Sequence, residues 1–394
     1  MSSKLVVLLL VSAGMARADG LTLSNALATA MAGNPELRAA RLQIAVATGR
    51  AQQTRAWPNP ELELSASDMP ANAIGLARAK NMVGISQTVP FPGKKALDGR
   101  IGRQEITVAE SESRDREREL IRAVKSAFYR TLATGKKLAV AQQLLELTDS
   151  LGKAASQRVE SGAAGNQERL RAEIEHERAR LDVAAARREW ADAQRDLARL
   201  LGQPPGELAG ELRTDVPALI AEPNRRTAQA NRDRAELEWQ RARLDALPDV
   251  TFGVAGGRDT AANENLVEFR VSLPLPLFDR GQGRHREARA RAELARAELT
   301  ATEHRLAQEL AGVDHRLQVA GEQVAAYRER IVPKAEEALR LVQTGFAAGK
   351  FSFLELVDTQ RTVAEARLGY LDQLLELNLA LAEWEMFAGT QVKE

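Results

Sequence analysis

Cysteine is absent from the 394 residues. This absence excludes disulfide bonds, thiolate metal sites and a cysteine nucleophile, and no lipid anchor on an N-terminal cysteine is expected. Aromatic residues make up only 4% of the chain, whereas charged residues make up 28%. A thick globular core is therefore not expected, and thin helical layers with solvated faces are favoured.

Clusters of chemically reactive side chains are also missing from the sequence. The four histidines, His176, His285, His304 and His315, are scattered and do not form the i, i+4 pair of a zinc hydrolase helix. Gly281-Gln282-Gly283 is too short for a dinucleotide-binding loop. We therefore predict no catalytic residues, no resident metal site and no cofactor. The 55 basic and 54 acidic residues are interspersed, so no nucleic-acid partner is expected.

The first 18 residues have the order of a secretory signal peptide. Lys4 supplies the positive start, the run from Leu5 to Val11 is apolar, and Ala16-Arg17-Ala18 forms a small-residue cleavage site. The apolar run is too short to span a bilayer. We assign residues 1–18 to a signal peptide and expect the protein to be exported.

A long helical stretch dominates the next part of the chain. Residues 93–203 contain no proline and are rich in Ala, Leu, Glu and Arg, which favour helix. The one plausible break is at residues 160–166, where two glycines permit a reversal. The first of the two helices would be about 100 Å long at 1.5 Å per residue. The sequence therefore predicts an elongated molecule.

Short strands precede this helical hairpin and also occur later in the chain. They are predicted at about residues 60–67, 82–89, 249–256 and 266–273, because polar and apolar residues alternate there with a period of two. In the last of them, Glu268, Arg270 and Ser272 alternate with Val267, Phe269 and Val271. Each strand pair ends at prolines, and a second long hairpin is predicted at residues 279–389.

The chain is predicted to be a tandem repeat. Five landmarks, among them the hairpin glycines Gly162 and Gly349, recur at offsets of 186 to 190 residues. The first repeat covers residues 19–203, a connector without a clear pattern covers 204–222, and the second repeat covers 223–394. Pro333 lies within the second long helix, where it predicts a kink or local unwinding.

Four short strands of this kind cannot form a stable closed structure alone. Their apolar and polar faces, in an exported protein, fit a membrane β-barrel with lipid outside and water inside. Open sheet edges are not tolerated in hydrocarbon, so strands from other subunits must complete the barrel. The alternative is an ordinary soluble sheet with one face on a core.

The arrangement resembles the TolC-type outer-membrane efflux protein family. The resemblance is carried by the Asn34-Pro35 and Glu222-Pro223 helix openings, the strand exits Pro90-Phe91-Pro92 and Pro276-Leu277-Phe278, and turns with a carboxylate six residues after glycine. It implies a mainly α-helical chain with a membrane β-sheet. It also implies a homotrimer with a twelve-stranded β-barrel in the lipid of a Gram-negative outer membrane, continued by a twelve-helix periplasmic tunnel. The implied partners are a periplasmic adaptor protein and an inner-membrane RND-type pump.

The same resemblance predicts functional positions at the hairpin tips. Glu355, Asp358, Phe346 and Glu168 match the family's periplasmic gate, although Phe346 lacks a hydroxyl and Phe351 replaces the family's arginine. The alternative is that the carboxylates are solvated residues of helix ends. The predicted adaptor contacts at the two tips are Gly162, Ala163, Gly349 and Lys350. For the glycines, the alternative is a simple requirement of the turn.

The strand exits are similar to those of the cobalt-zinc-cadmium resistance branch, which implies export of heavy-metal cations. A duct for drugs or other small molecules is the alternative cargo assignment. Two further alternatives are a periplasmic adaptor with a helical hairpin and a structural coiled coil. The first would carry one hairpin rather than two, and the second would need sustained heptads, which are absent.

Overall fold

The computed structural model describes residues 20–68, 79–162, 165–217 and 224–388. The predicted signal peptide, Ala163, and the Glu222-Pro223 pair lie outside the described residues. The eight α-helices of the described residues are α1 Leu23–Gly33, α2 Pro35–Arg55, α3 Lys94–Glu160, α4 Asn166–Leu201, α5 Arg226–Ala242, α6 Gln282–Ala326, α7 Val332–Ala347 and α8 Phe353–Ala388. The four strands are β1 Glu61–Ser67, β2 Lys80–Val89, β3 Val250–Asp259 and β4 Glu264–Ser272.

Local sequence signals explain most helix ends. The Asn34 side chain accepts a hydrogen bond from the Leu37 backbone N–H at 3.0 Å, and Pro35 occupies the first position of α2. Helix α3 contains 67 residues and is about 100 Å long. It ends where Gly162 adopts a positive φ of 74°, and α4 ends in the same way at Gly202. The predicted first hairpin is thus present as α3 and α4.

The prediction for Pro333 is confirmed. A five-residue π-helix, Tyr327–Ile331, separates α6 from α7 immediately before this proline. Proline has no N–H to donate and its ring displaces the preceding carbonyl, so the regular ladder is interrupted there. The hydroxyl of Tyr327 lies over Gly369 of α8, where an added Cβ would come within 2.7 Å of it.

The strands form one antiparallel sheet in the order β1-β2-β3-β4. The two repeats meet at its centre, where β2 pairs with β3 from Lys80 opposite Asp259 to Val89 opposite Val250. The ladder extends beyond the predicted bounds, because β2 begins at Lys80 and β3 continues to Asp259. Strands β1 and β4 are the two edges of the sheet in the described chain.

The two faces of the sheet differ sharply. One face carries exposed apolar side chains from all four strands, with Leu64, Val267 and Phe269 at least 70% exposed. The opposite face carries small residues, including the buried Gly84 and Ser86, together with charged side chains. The alternative of a soluble sheet packed on a core is therefore not supported, because the apolar face packs on no core of the described chain.

The main core lies in the helical body rather than beside the sheet. It contains buried side chains from α1, α3, α4, α6 and α8, the largest of which include Trp384 and Phe128. The Trp384 indole donates to Asp314 Oδ1 at 2.8 Å, which satisfies its buried N–H. The fold class, mainly α-helical with a small sheet and repeated hairpins, is confirmed.

The connector between the repeats is held by specific contacts that the sequence did not predict. Leu208 forms a parallel bridge with Leu21. The fully buried Asn378 of α8 accepts from the Arg213 N–H at 3.0 Å and donates to the Arg213 carbonyl at 3.1 Å. The described part of the connector is thus fixed to the helical body through backbone hydrogen bonds.

Candidate functional site

The turn between α7 and α8 is built by the backbone and by Phe351. The Lys350 N–H donates to the Gly345 carbonyl at 2.7 Å, and the Gly349 N–H donates to the Phe346 carbonyl at 3.0 Å. This is the Schellman pattern, and Gly349 supplies its positive φ of 73°. The Phe351 ring folds over Gly345, where an added Cβ would lie 2.2 Å from the ring. The Phe351 side chain therefore packs across the turn against α7.

The tip glycines are required by backbone conformation. Gly162 has a φ of 74° and Gly349 a φ of 73°, and no atom lies within 4 Å of an added Cβ at either position. Within the described residues, both tips therefore face open space. The predicted adaptor contact at Gly162, Gly349 and Lys350 stays a prediction, and Ala163 lies outside the described residues.

Glu355 has a structural role at the start of α8. Its carboxylate accepts from the Ser352 N–H and from the Ser352 hydroxyl, both at 2.7 Å, while the Glu355 N–H donates to Ser352 Oγ at 3.3 Å. This is a capping box. Hydrogen bonds from the Ser352 backbone and hydroxyl lower the pKa of Glu355, so the carboxylate is ionised at neutral pH.

Asp358 lies one turn further along α8 and is exposed to solvent. Residues three apart occupy neighbouring positions on a helix surface. The two carboxylates of the predicted gate therefore share one face of α8. The hydrogen bonds of the Glu355 carboxylate serve the start of α8, and the gate at these two residues stays a prediction.

Phe346 and Glu168 are brought together by a residue that sequence reasoning missed. The Arg158 guanidinium of α3 lies 5.3 Å from the centre of the Phe346 ring, and its Nε is 3.5 Å from Glu168 Oε1. Phe346 also packs against Phe353, with ring centres 6.5 Å apart. Arg158 thus links the first hairpin to the second. The only feature of the sequence that could have pointed to Arg158 is its position one turn before Gly162.

A second polar link joins the hairpins further from the tip. Arg361 of α8 contacts Glu175 of α4 at 3.0 Å, and Glu175 also accepts from Arg178 of its own helix at 2.8 Å. Sequence reasoning did not single out these residues. They fix α8 to α4, the second helix of the first hairpin.

The sheet carries a charged network on its small-residue face. Arg270 Nη1 lies 2.8 Å from Glu63 Oε2, and Arg270 Nη2 lies 3.2 Å from Glu268 Oε1. The Ser86 hydroxyl donates to Glu63 at 2.9 Å, and the Lys80 ammonium lies 3.6 Å from Glu268. The predicted alternation placed Glu268 and Arg270 on one face. The contact between Arg270 and Glu63 could not be predicted without knowing the order of the strands in the sheet.

Within the described residues, no group of three or more His, Asp or Glu side chains is placed to hold a metal ion. Over the same part of the chain, none of the helices combines the length and the apolar character needed to cross a membrane.

Comparison with known proteins gives consistent matches. The model of the outer membrane efflux protein family matches residues 26–203 and 217–385. The cobalt-zinc-cadmium resistance protein CzcC of Cupriavidus metallidurans is 29% identical over 370 residues, covering 91% of this chain and 87% of CzcC. The pyoverdine export outer membrane protein OpmQ of Pseudomonas putida is 26% identical over 292 residues, covering 66% of this chain and 59% of OpmQ. The structure of CusC, studied for its transmembrane channel formation, superposes with a TM-score of 0.79 at 19% identity, covering 94% of this chain and 92% of that one.

Paired hairpins joined to a small two-faced sheet define the architecture that this chain shares with CusC. Because the family model matches both repeats, the chain belongs to the outer membrane efflux protein family. The predicted family is thereby confirmed, and the protein is an outer-membrane efflux channel. Its matches include a metal-resistance relative and a pyoverdine-export relative.

Proposed function

We propose that three copies of the chain form one exit duct, with a twelve-stranded barrel in the outer membrane and a helical tunnel in the periplasm. The observation that carries the proposal is the two-faced sheet. Its exposed apolar face suits lipid, and its polar face suits a water-filled bore. The free edges of β1 and β4 would pair between neighbouring copies, since open edges are costly in hydrocarbon.

The helical hairpins would continue the bore below the membrane. Helix α3 is about 100 Å long, so it can extend far from the sheet. Twelve helices from three copies would enclose the tunnel. The tips at Gly162 and Gly349 would meet a periplasmic adaptor, which connects the duct to an inner-membrane RND-type pump. The open space around both glycines supports this assignment.

The proposed cargo is heavy-metal cations. Support comes from the strand exits and from the similarity to CzcC over 91% of the chain. At the entrance, Glu355 and Asp358 from three copies would give six carboxylates, which favour cations over anions. The match to OpmQ keeps a second cargo class, small organic molecules, as the candidate to be tested against metals.

Deletion and complementation test the cargo. A strain lacking the gene is grown on a panel of zinc, cobalt, cadmium and nickel salts, and on a panel of drugs and siderophores. Loss of metal tolerance alone, restored by the wild-type gene, is the expected result. Loss of tolerance to organic compounds with unchanged metal tolerance would overturn the metal assignment while leaving the duct intact.

Purified protein tests the duct itself. In detergent, we expect a trimer by native mass spectrometry and discrete conductance steps after insertion into planar bilayers. A water-soluble monomer without conductance would overturn the duct.

A further inference from the structure

The charged network on the polar face of the sheet spans the whole sheet. Glu63 belongs to β1 and Arg270 to β4, which are the two outermost strands. With neighbouring strands about 4.8 Å apart, the edges are separated by about 14 Å along the sheet. Their side chains nevertheless meet at 2.8 Å. The contact is made by long side chains that reach toward each other from opposite edges.

Small residues leave room for this contact. In the strand register, Arg270 is aligned with Gly253, and Gly253 with Ser86. In the neighbouring row, Glu268 is aligned with Ala255, and Ala255 with Gly84. No large side chain therefore stands between the two edges in these rows.

The network adds little to stability. The side chains of Arg270 and Glu63 are 55% and 40% exposed, and exposed ion pairs contribute only weakly because water screens them. What the network does determine is the local charge of this face. One guanidinium contacts two carboxylates, Glu63 and Glu268, and Lys80 supplies a second positive charge beside Glu268.

We propose that Arg270 is a selectivity-determining residue of the barrel bore. This inference rests on the proposed function, in which the polar face lines the bore. Three copies would place six carboxylates from Glu63 and Glu268 on the bore wall. Three copies of Arg270 together with three copies of Lys80 balance these six carboxylates, so cations pass this level without being held. Conduction requires binding weak enough for release, and an unbalanced carboxylate ring would retain divalent cations.

Arg270→Gln removes the neutralising charge and keeps a polar side chain. In a tenfold KCl gradient across a planar bilayer, the reversal potential is expected to shift toward cation preference. One unit charge at about 4 Å in water supplies a factor of about five for each ion, in opposite directions for potassium and chloride, so the potassium-to-chloride permeability ratio is expected to rise by up to about 25-fold. Zinc chloride should then block the current at lower concentration than in the wild type.

Arg258→Gln is the matched control. Arg258 lies on β3, on the opposite face, at the end of the strand near Asn263. The variant loses the same charge from the same sheet, and unchanged selectivity is expected. Arg270→Lys keeps the charge and should retain the wild-type ratio. Glu63→Gln should shift the ratio in the other direction, toward anions.

The outcomes separate the two proposals. Absence of channels from wild-type protein overturns the duct. Channels with wild-type selectivity and zinc sensitivity in Arg270→Gln overturn the role of Arg270, and so does an equal shift in Arg258→Gln. If Arg270→Gln fails to assemble, Glu63→Gln decides the question, because wild-type selectivity in that variant also contradicts a charge balance at this level.

Discussion

At the scale of single residues, Glu355 has both a structural role, as a hydrogen-bond acceptor at the start of α8, and an electrostatic property, its negative charge. Its carboxylate closes a capping box with Ser352, and its charge lies on the same face of α8 as Asp358. A substitution with alanine would remove both properties. Glutamine retains an acceptor for the capping box and removes only the charge. The two variants therefore distinguish a helix cap from a gate.

Glu355→Ala should loosen the first turn of α8. The cap donors of Ser352 would lose their acceptor, so amide hydrogen exchange at residues 352–356 should accelerate, and Glu355→Gln should accelerate it less, because its neutral amide oxygen still accepts. The folded-state pKa is lowered, so the cap contributes fully above the ordinary carboxyl pKa and is lost as pH falls through the lowered value. The loss of the cap at low pH is measured by amide hydrogen exchange as a function of pH, corrected for the intrinsic pH dependence of exchange. Equal exchange in the alanine variant and the wild type would contradict the cap.

Glu355→Gln combined with Asp358→Asn tests the gate. We expect a higher single-channel conductance at low voltage, because carboxylates no longer hold cations at the entrance, and a weaker cation preference, because the negative potential there is removed. The measurement is made in planar bilayers. Asp372→Asn, at an exposed carboxylate further along α8, is the control. Conductance and selectivity equal to those of the wild type would count against a gate at these positions.

Arg158→Gln should loosen the link between the hairpins at the tip. The guanidinium contacts both Phe346 and Glu168, and an exposed cation–π contact is worth about 0.5–1 kcal/mol. Amide hydrogen exchange at the end of α7, residues 344–348, should therefore accelerate about two- to five-fold. Lys153→Gln is the control, because Lys153 pairs with Asp149 of its own helix. An effect of the same size in both variants would assign it to tip charge rather than to this contact.

At the scale of elements, the sequence predicted what local chemistry determines. Gly162 and Gly349 end helices because their positive φ suits glycine, and Pro333 disrupts its helix because it has no N–H. Such signals need no knowledge of distant contacts. The alternation of polar and apolar residues in the strands is also a local signal. It predicted the existence of the strands but not their exact ends.

Contacts between distant segments were not predictable in the same way. Asn378 holds the connector at Arg213, across 165 residues, and nothing near either residue signals the pairing. Arg158 and Glu63 acquire their roles only when the hairpins and strands are brought together. The elements of the candidate site could therefore be found from the sequence, whereas the side chains that join them could not.

The π-helix also offers a prediction about packing. Gly369→Ala should destabilise the protein by about 1–3 kcal/mol, because the new Cβ would lie 2.7 Å from the Tyr327 hydroxyl. The measurement is the free energy of unfolding in detergent. Gly312→Ala, in an α6 position with no atom within 4 Å, should instead be neutral or stabilising. Tyr327→Ala should reduce the cost of Gly369→Ala. Additive effects of the two substitutions would contradict a direct clash.

At the scale of the whole molecule, the sheet is the part that a single chain leaves incomplete. Its edges, β1 and β4, belong to opposite ends of one four-stranded sheet, and its apolar face is exposed. In one chain, Leu64 and Val267 share a row and are separated by two strands. In a closed ring of three copies, the β1 edge of one copy would lie beside the β4 edge of the next.

The absence of cysteine makes this arrangement directly testable. Leu64→Cys is combined in turn with Val267→Cys, Phe269→Cys and Val271→Cys, so that the unknown register between copies is covered. Within one chain the Leu64 and Val267 positions are about 14 Å apart, well beyond the Cα separation of about 4.4–6.8 Å that a disulfide allows. Oxidation in native membranes should therefore join different copies, and a closed ring should give a covalent trimer on non-reducing gels. Each single-cysteine variant should give no trimer. Only monomers from all three pairs would mean that these edges do not meet, and the barrel would have to be abandoned.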